Sequence, residues 1–132
     1  MVLIGMTILC QFIEVLNLYS AEGRACFLQT YSKGEKELCN FIKSIYFREV
    51  LENTRKFIGG KELDIYLPEL KLAFEYNGEY WHKIHEEKEP GYYENKQKAC
   101  EENGVKLIEI WENDWKKNNQ QIKDLISKHL QI

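Results

Sequence analysis

The chain has 132 residues, 44% of them hydrophobic and 13% aromatic, which is enough for one domain with a buried core. Its net charge of −3 excludes a uniformly basic nucleic-acid coat, so any contact with DNA has to use local patches. The cysteines at positions 10, 26, 39 and 100 form no CxxC pair. This favours free thiols in a reducing, cytoplasmic compartment over a zinc ribbon or disulfides.

The first 31 residues begin with an apolar run, MVLIGMTILCQFIEVLNLY. Gln11, Glu14 and Asn17 interrupt this run, and neither a basic stretch nor a small-residue cleavage site accompanies it. We therefore expect no membrane span and no signal peptide here. Residues 1–31 are interpreted as an N-terminal extension, a packed helix or strand that could form a dimer contact.

Residues 33–46 are predicted to form the first helix after this extension. Ser32 and Glu35 have the spacing of a capping box. Apolar residues then recur at helical spacing, namely Leu38, Phe41, Ile42 and Ile45. Residues 47–53 are predicted to form the first strand.

An antiparallel hairpin is predicted after a glycine turn at residues 59–60. Its first strand, over residues 63–67, alternates apolar and polar side chains. The connection begins at Pro68, and the second strand covers residues 72–76. Residues 77–78, an Asn-Gly pair, form the turn that closes this strand.

Residues 79–91 are polar and aromatic without a clear period, and they are predicted to be a loop. A helix over residues 92–103 and an apolar strand over residues 105–111 follow. The last helix is predicted to run from Asn113 or Asp114, either of which can cap it, to about residue 130. This order of elements predicts a mixed α/β fold with helices on both faces of a central sheet.

Two acids lie on the strands of the predicted hairpin, Asp64 on the first and Glu75 on the second. Carboxylates brought together in this way repel each other and favour a divalent cation between them. Oxygen ligands of this kind prefer magnesium or manganese. A metal held by two carboxylates, with open positions for water and a phosphate oxygen, is the general apparatus of phosphodiester hydrolysis.

Polar side chains that suit the same chemistry follow shortly after Glu75 in the chain. Histidine titrates near neutral pH, so His82 can act as a general base or protonate a leaving group. His85 lies one helical turn further on and could assist it. Asn77 cannot be a general base, but its amide can bind a water or a phosphate.

Each candidate residue also has a purely structural interpretation. Asp64 and Glu75 could be exposed strand residues, and Glu35 could be no more than a helix cap. His82 could be a packing histidine, and Lys96 could lie on a solvated helix face. The case for chemistry depends on the combination of two acids, an asparagine and a histidine within a short span.

The stretch LDIYLPELKLAFEYNGEYWH, residues 63–82, is similar to the core motif of very-short-patch-repair-like endonucleases. These enzymes form a branch of the PD-(D/E)xK restriction-endonuclease-like superfamily, which includes homing endonucleases of the E-D-x-H-D type from phages and introns. The similarity runs from residue 32 to residue 115 and includes GEKEL, KLIEIW and ENDW. Residues 1–31 lie outside it.

The resemblance implies a role for each matched residue. Asp64 matches the metal-binding aspartate, and Tyr76 matches the position whose backbone carbonyl helps to hold the metal. His82 matches the catalytic histidine. Glu35 matches a helix glutamate that reaches a metal-bound water, and Lys96 matches a lysine of related phage proteins.

The sequence also departs from the family motif. Asn77 stands where relatives have a histidine or a lysine. The repair enzymes have a His/Cys zinc site, whereas Ile84, Glu86 and Asn113 stand at those positions here, so no structural zinc is expected. Glu75 replaces an apolar residue, which favours the two-acid arrangement of ordinary restriction-type nucleases over mismatch repair.

The main hypothesis is a Mg²⁺- or Mn²⁺-dependent endonuclease that nicks or cuts double-stranded DNA, with residues 32–132 as a restriction-endonuclease-like domain of phage or mobile-element type. The candidate residues are Asp64, Glu75 and the Tyr76 carbonyl for metal, and Glu35, Asn77, His82 and Lys96 for catalysis, with His85 as an accessory. A second hypothesis is a nuclease-fold DNA-binding module that lacks activity and acts with a protein partner. A third is an interaction domain whose N-terminal segment docks a partner or a second copy.

Overall fold

The structure is a computed structural model that describes residues 32–131. The predictions for residues 1–31, a packed segment and a dimer contact, lie outside the described residues. The helices and strands follow in the order α1 (Lys33–Ile45), β1 (Leu51–Ile58), β2 (Lys61–Leu67), β3 (Leu72–Asn77), α2 (Glu79–Lys88), α3 (Tyr92–Glu102), β4 (Lys106–Trp111), α4 (Glu112–Lys117) and α5 (Asn119–His129).

The described part of the chain forms a four-stranded sheet in the order β1-β2-β3-β4. Strand β2 pairs antiparallel with both β1 and β3, as the hairpin prediction requires. Strand β4 lies parallel to β3, and the crossover between them carries α2 and α3. The predicted fold class, a mixed central sheet flanked by helices, is therefore confirmed.

Two groups of buried side chains cover the two faces of the sheet. On one face, Leu38 of α1 and Trp115 of α4 belong to the same core as Phe74 of β3. On the other face, Cys100 of α3 packs with Ala73, the strand neighbour of Phe74. Because successive strand residues point to opposite faces, the helices lie on both sides of the sheet.

The two cysteines in the described range, Cys39 and Cys100, are buried and unbonded, as the thiol prediction expects of them. No helix between residues 32 and 131 is long and apolar enough to cross a membrane.

The first predicted strand is displaced in the structure. Strand β1 covers Leu51–Ile58 instead of residues 47–53, and Phe47 is 86% exposed. The reason lies in the turn that follows, where Gly59 and Gly60 both have positive φ and leave a two-residue hairpin loop. A loop of this kind requires the strand to run directly into it.

The loop prediction for residues 79–91 is wrong, because Glu79–Lys88 forms α2. None of the residues of α2 is fully buried, so the helix has no apolar stripe from which the sequence could reveal its period.

The prediction of a single C-terminal helix is also wrong. The helical region begins earlier than predicted and is divided into two helices. Helix α4 starts at Glu112, directly after β4, and Asn118 between α4 and α5 has a non-helical φ of −121°. The Asn119 amide donates a hydrogen bond to the Trp115 carbonyl at 2.9 Å, which satisfies a terminal carbonyl of α4.

Candidate active site

Asp64 and Glu75 face each other where β2 and β3 separate. The last backbone pair of these strands is Ile65 with Phe74, so the two acids are next in register. The backbone N–H of Asp64 donates to Oε2 of Glu75 at 3.1 Å, and the N–H of Tyr76 donates to Oδ2 of Asp64 at 3.0 Å. Each carboxylate therefore takes the place of a ladder carbonyl on the opposite strand. The structure brings together the two acids that the sequence singled out.

Both carboxylates lie in a poorly solvated environment. Burial, and then the charge of Asp64, raise the pKa of Glu75 to about 7. Burial also raises the pKa of Asp64, while Lys96 and the Tyr76 N–H oppose that shift. Glu75 is only 4% exposed, so its interpretation as an exposed strand residue is wrong. Two acids in this situation favour a shared proton or a nearby cation.

One such cation is Lys96 of α3. Its Nζ donates a hydrogen bond to Oε1 of Glu75, and both side chains are buried. Burial lowers the pKa of Lys96, but the negative charges of Glu75 and Asp64 outweigh this effect and leave the pKa raised, so the ammonium is charged. The solvated-face interpretation is therefore wrong for Lys96. It describes Lys98 instead, which is exposed and pairs with Glu94 at 3.2 Å.

Asn77 lies two residues after Glu75 on β3, so the two side chains point to the same face of the sheet. It is 5% exposed, and its Nδ2 finds no hydrogen-bond acceptor between residues 32 and 131. A buried amide that lacks an acceptor costs free energy. The Asn77 amide is therefore a donor suited to a water or an anionic oxygen.

Glu35 approaches the acid pair from α1. Burial, followed by the charges of Asp64 and Glu62, raises the pKa of Glu35 to about 7. The position of α1 depends on Gly34, because a Cβ there would overlap the hydroxyl of Tyr76. The structure thus places Glu35 within electrostatic reach of Asp64.

His82 lies among aromatic side chains. Its ring stacks on Tyr93, with centroids 3.7 Å apart and an interplanar angle of 11°, and it lies 4.7 Å from the Trp111 ring. Within residues 32–131 it forms no hydrogen bond or ion pair with Asp64 or Glu75. The packing interpretation of His82 is thus correct as a description of this geometry.

Tyr93 contacts both His82 and His85, and no sequence pattern pointed to it. Burial, then Tyr92, and then the charges of Glu75 and Asp64 raise the pKa of Tyr93. Its hydroxyl also lies 2.9 Å from Nδ1 of His85. His82 and His85 meet Tyr93 only because residues 79–88 form a helix. The sequence does not reveal this helix, so the spacing of the three residues could not predict their contact.

The start of α3 is fixed by Glu86 of α2. Oε2 of Glu86 accepts the Gly91 N–H at 2.9 Å, and Oε1 accepts the Tyr93 N–H at 3.3 Å. These are terminal N–H groups of α3, which carries both Tyr93 and Lys96. Glu86 therefore positions the helix that completes the site.

The donors at the strand separation are oxygens of the kind that a divalent metal binds. The Tyr76 N–H points to Asp64, and the N–H and C=O of one strand residue face the same neighbour, so the Tyr76 carbonyl is directed to the same side. Both oxygens of Glu75 hold protein donors, yet each carboxylate oxygen has a second lone pair. No cluster of three or more His, Cys, Asp or Glu side chains suited to a metal occurs within the described residues. The donor set is two carboxylates and one carbonyl, all hard oxygens suited to Mg²⁺ or Mn²⁺.

Comparison of the chain with protein-family models, curated proteins and solved structures gave no match.

Proposed function

We propose that this protein is a Mg²⁺- or Mn²⁺-dependent endodeoxyribonuclease of the PD-(D/E)xK restriction-endonuclease-like type. The observation that carries the proposal is the acid pair Asp64–Glu75 at a strand separation, with the buried ammonium of Lys96 on Glu75. The substrate is double-stranded DNA, cut or nicked in the cytoplasm.

The metal ligands in this proposal are Asp64, Glu75 and the Tyr76 carbonyl. When bound, the metal supplies a nucleophile from water and polarises the phosphate. Its charge also offsets the burial that raises the pKa of both carboxylates and, for Glu75, the added repulsion by Asp64.

The remaining residues act on the phosphate and on protons. The ammonium of Lys96 reaches the acid pair from α3, so it supplies the positive charge that a lysine at position 77 would otherwise bring. The Asn77 amide donates its free N–H to a phosphate oxygen. Glu35, whose pKa is about 7, can accept a proton from the attacking water. In this proposal His82, whose ring contacts those of Tyr93 and Trp111, protonates the leaving group.

Plasmid nicking tests the proposal. Supercoiled DNA is incubated with the full chain and Mg²⁺ or Mn²⁺, and Asp64→Ala is expected to lower the cleavage rate at least about a hundredfold. Lys98→Ala, an exposed lysine of the helix that carries Lys96, is the matched control and is expected to cleave like the wild type. The enzyme hypothesis fails if the wild type nicks no faster than Asp64→Ala with either metal.

A second candidate function is a DNA-binding module that keeps the fold without activity. The observation in its favour is that both carboxylate oxygens of Glu75 already accept hydrogen bonds, one from the Lys96 ammonium and one from the Asp64 N–H. Such a module binds duplex DNA in a salt-dependent manner, takes up no metal in calorimetry and cuts nothing. Metal uptake that requires Asp64, together with cleavage, rules it out.

Self-association or a larger partner remains part of the proposal as a source of DNA specificity. Sedimentation at several concentrations, with and without residues 1–28, tests this idea. A strict monomer that is unchanged by the deletion counts against it.

A further inference from the structure

The hairpin between β1 and β2 ends in a basic segment that the site does not use. Residues 55–61, RKFIGGK, contain three cations and no acid, in a chain whose net charge is −3. We call this segment the hairpin tip. A local positive patch is what an acidic protein needs if it is to contact DNA.

The hairpin tip projects from the same end of the sheet as the candidate active site. Strand β3 runs antiparallel to β2 and ends at Asn77, so this end of β3 lies beside the start of β2 at Lys61. Asp64 is three residues further along β2 than Lys61, which is about 10 Å in a strand. That distance equals about three base pairs of duplex.

The two cations on β1, Arg55 and Lys56, are exposed. Arg55 is held by Glu62 at 3.4 Å and by the Gly60 carbonyl at 3.2 Å, while its side chain stays 64% exposed. A guanidinium has five N–H donors, so these contacts orient the side chain and leave donors available for a phosphate. Lys56 is exposed, and the Lys61 ammonium lies 5.7 Å from the ring of Tyr92.

The contact between Lys61 and Tyr92 also joins the hairpin tip to the site. Tyr92 is the residue before Tyr93, and its ring lies 5.6 Å from that of His85. The two turn glycines leave open space around the tip, since a Cβ on either would meet nothing within 4 Å. A phosphate backbone can therefore approach the turn closely.

From these observations we infer that the hairpin tip is a DNA-backbone contact surface, and that Arg55 and Lys56 bind phosphates of the duplex. The partner is duplex DNA, and the contact is independent of base sequence. The inference rests on the proposed function for its substrate, but it concerns binding and not cleavage.

The test compares two double variants of the full chain in Ca²⁺, an oxygen-seeking cation, with a labelled DNA duplex at several salt concentrations. Arg55→Gln/Lys56→Gln is expected to weaken binding about tenfold at 0.1 M salt and to reduce the salt slope by about 2. The control, Lys106→Gln/Lys128→Gln, removes two exposed cations; Lys106 pairs with Leu72 at the far end of β3. It is expected to bind like the wild type.

Equal affinity and slope for the two double variants would overturn the inference, as would a wild type that binds no duplex even at low salt. Cations on an edge strand also discourage pairing between molecules. If the hairpin variant aggregates but binds DNA normally, the inference is wrong, and Arg55 and Lys56 serve to prevent edge-strand pairing between molecules. Loss of binding in the hairpin variant, in a chain that cuts no DNA with any metal, leaves the inference standing and removes only the nuclease proposal.

Discussion

At the scale of single residues, the ion pair between Glu75 and Lys96 separates what the sequence shows from what it hides. Glu75 stands out because an acid interrupts an apolar strand. Lys96 does not, because it lies 21 residues away in a helix with other charged residues, and only the fold brings the two together. Its burial could not be predicted from spacing, since α3 shows no strong apolar stripe around it.

The pair predicts a large effect on stability. Lys96→Met leaves the buried Glu75 without its cation, and the loss of one partner from a buried pair costs about 3–5 kcal/mol. Urea denaturation in the presence of chelator measures this cost. Lys98→Met is the matched control, because its pair with Glu94 is exposed and contributes little. Equal midpoints for the two variants would show that Lys96 does not support the acids.

Glu35 predicts a dependence of stability on pH. Its pKa in the folded protein, about 7, is above its ordinary value of 4.5, so the folded state binds the proton more tightly than the unfolded state. The stabilisation is therefore complete below about pH 4.5 and is lost as the pH rises through 7. Unfolding free energies measured with chelator between pH 4.5 and 8 should show this loss in the wild type and a smaller one in Glu35→Gln. An identical pH profile in the two proteins would contradict the prediction.

At the scale of elements, strands β2, β3 and β4 were predictable, β1 was predicted too early in the chain, and α2 was not predicted. The hairpin of β2 and β3 follows from alternation and a proline connection, both of which are local signals. Helix α2 buries no residue completely, so its period is invisible in the sequence. As a result the aromatic arrangement of His82, Tyr93 and Trp111, which joins α2, α3 and β4, was beyond prediction.

This arrangement predicts that Tyr93 positions the His82 ring. Tyr93→Leu removes the stacked ring and should move the His82 ring-proton resonances downfield, because the shielding by the tyrosine is lost. Cleavage should fall roughly ten- to a hundredfold, as expected when a reacting group is misplaced. Tyr93→Phe is the matched control, since it keeps the stacked ring and loses only the hydroxyl beside His85. If His82 shifts equally in both variants, stacking does not position it.

At the scale of the whole molecule, the fold class was predictable because each strand and most helices carry their own pattern. The site was predictable only in part. Asp64 and Glu75 lie within one hairpin, whereas Glu35, Lys96 and Tyr93 come from helices on other parts of the chain. Their distance from the acids depends on how α1 and α3 pack on the two faces of the sheet, and no local pattern encodes that.

Metal binding by the complete site should be visible as thermal stabilisation of the whole protein. A ligand that binds only the folded state adds about 1.4 kcal/mol at roughly ten times its Kd, which raises the melting temperature of a domain of this size by about 5 °C. We expect this rise with Mn²⁺ in the wild type and in Lys98→Met, and its absence in Asp64→Ala. Because the measurement needs no DNA, it separates metal binding from cleavage. A rise that persists in Asp64→Ala would place the metal elsewhere in the protein. No rise in the wild type would favour the DNA-binding module without activity, because the Lys96 ammonium would then be the cation that the two acids require.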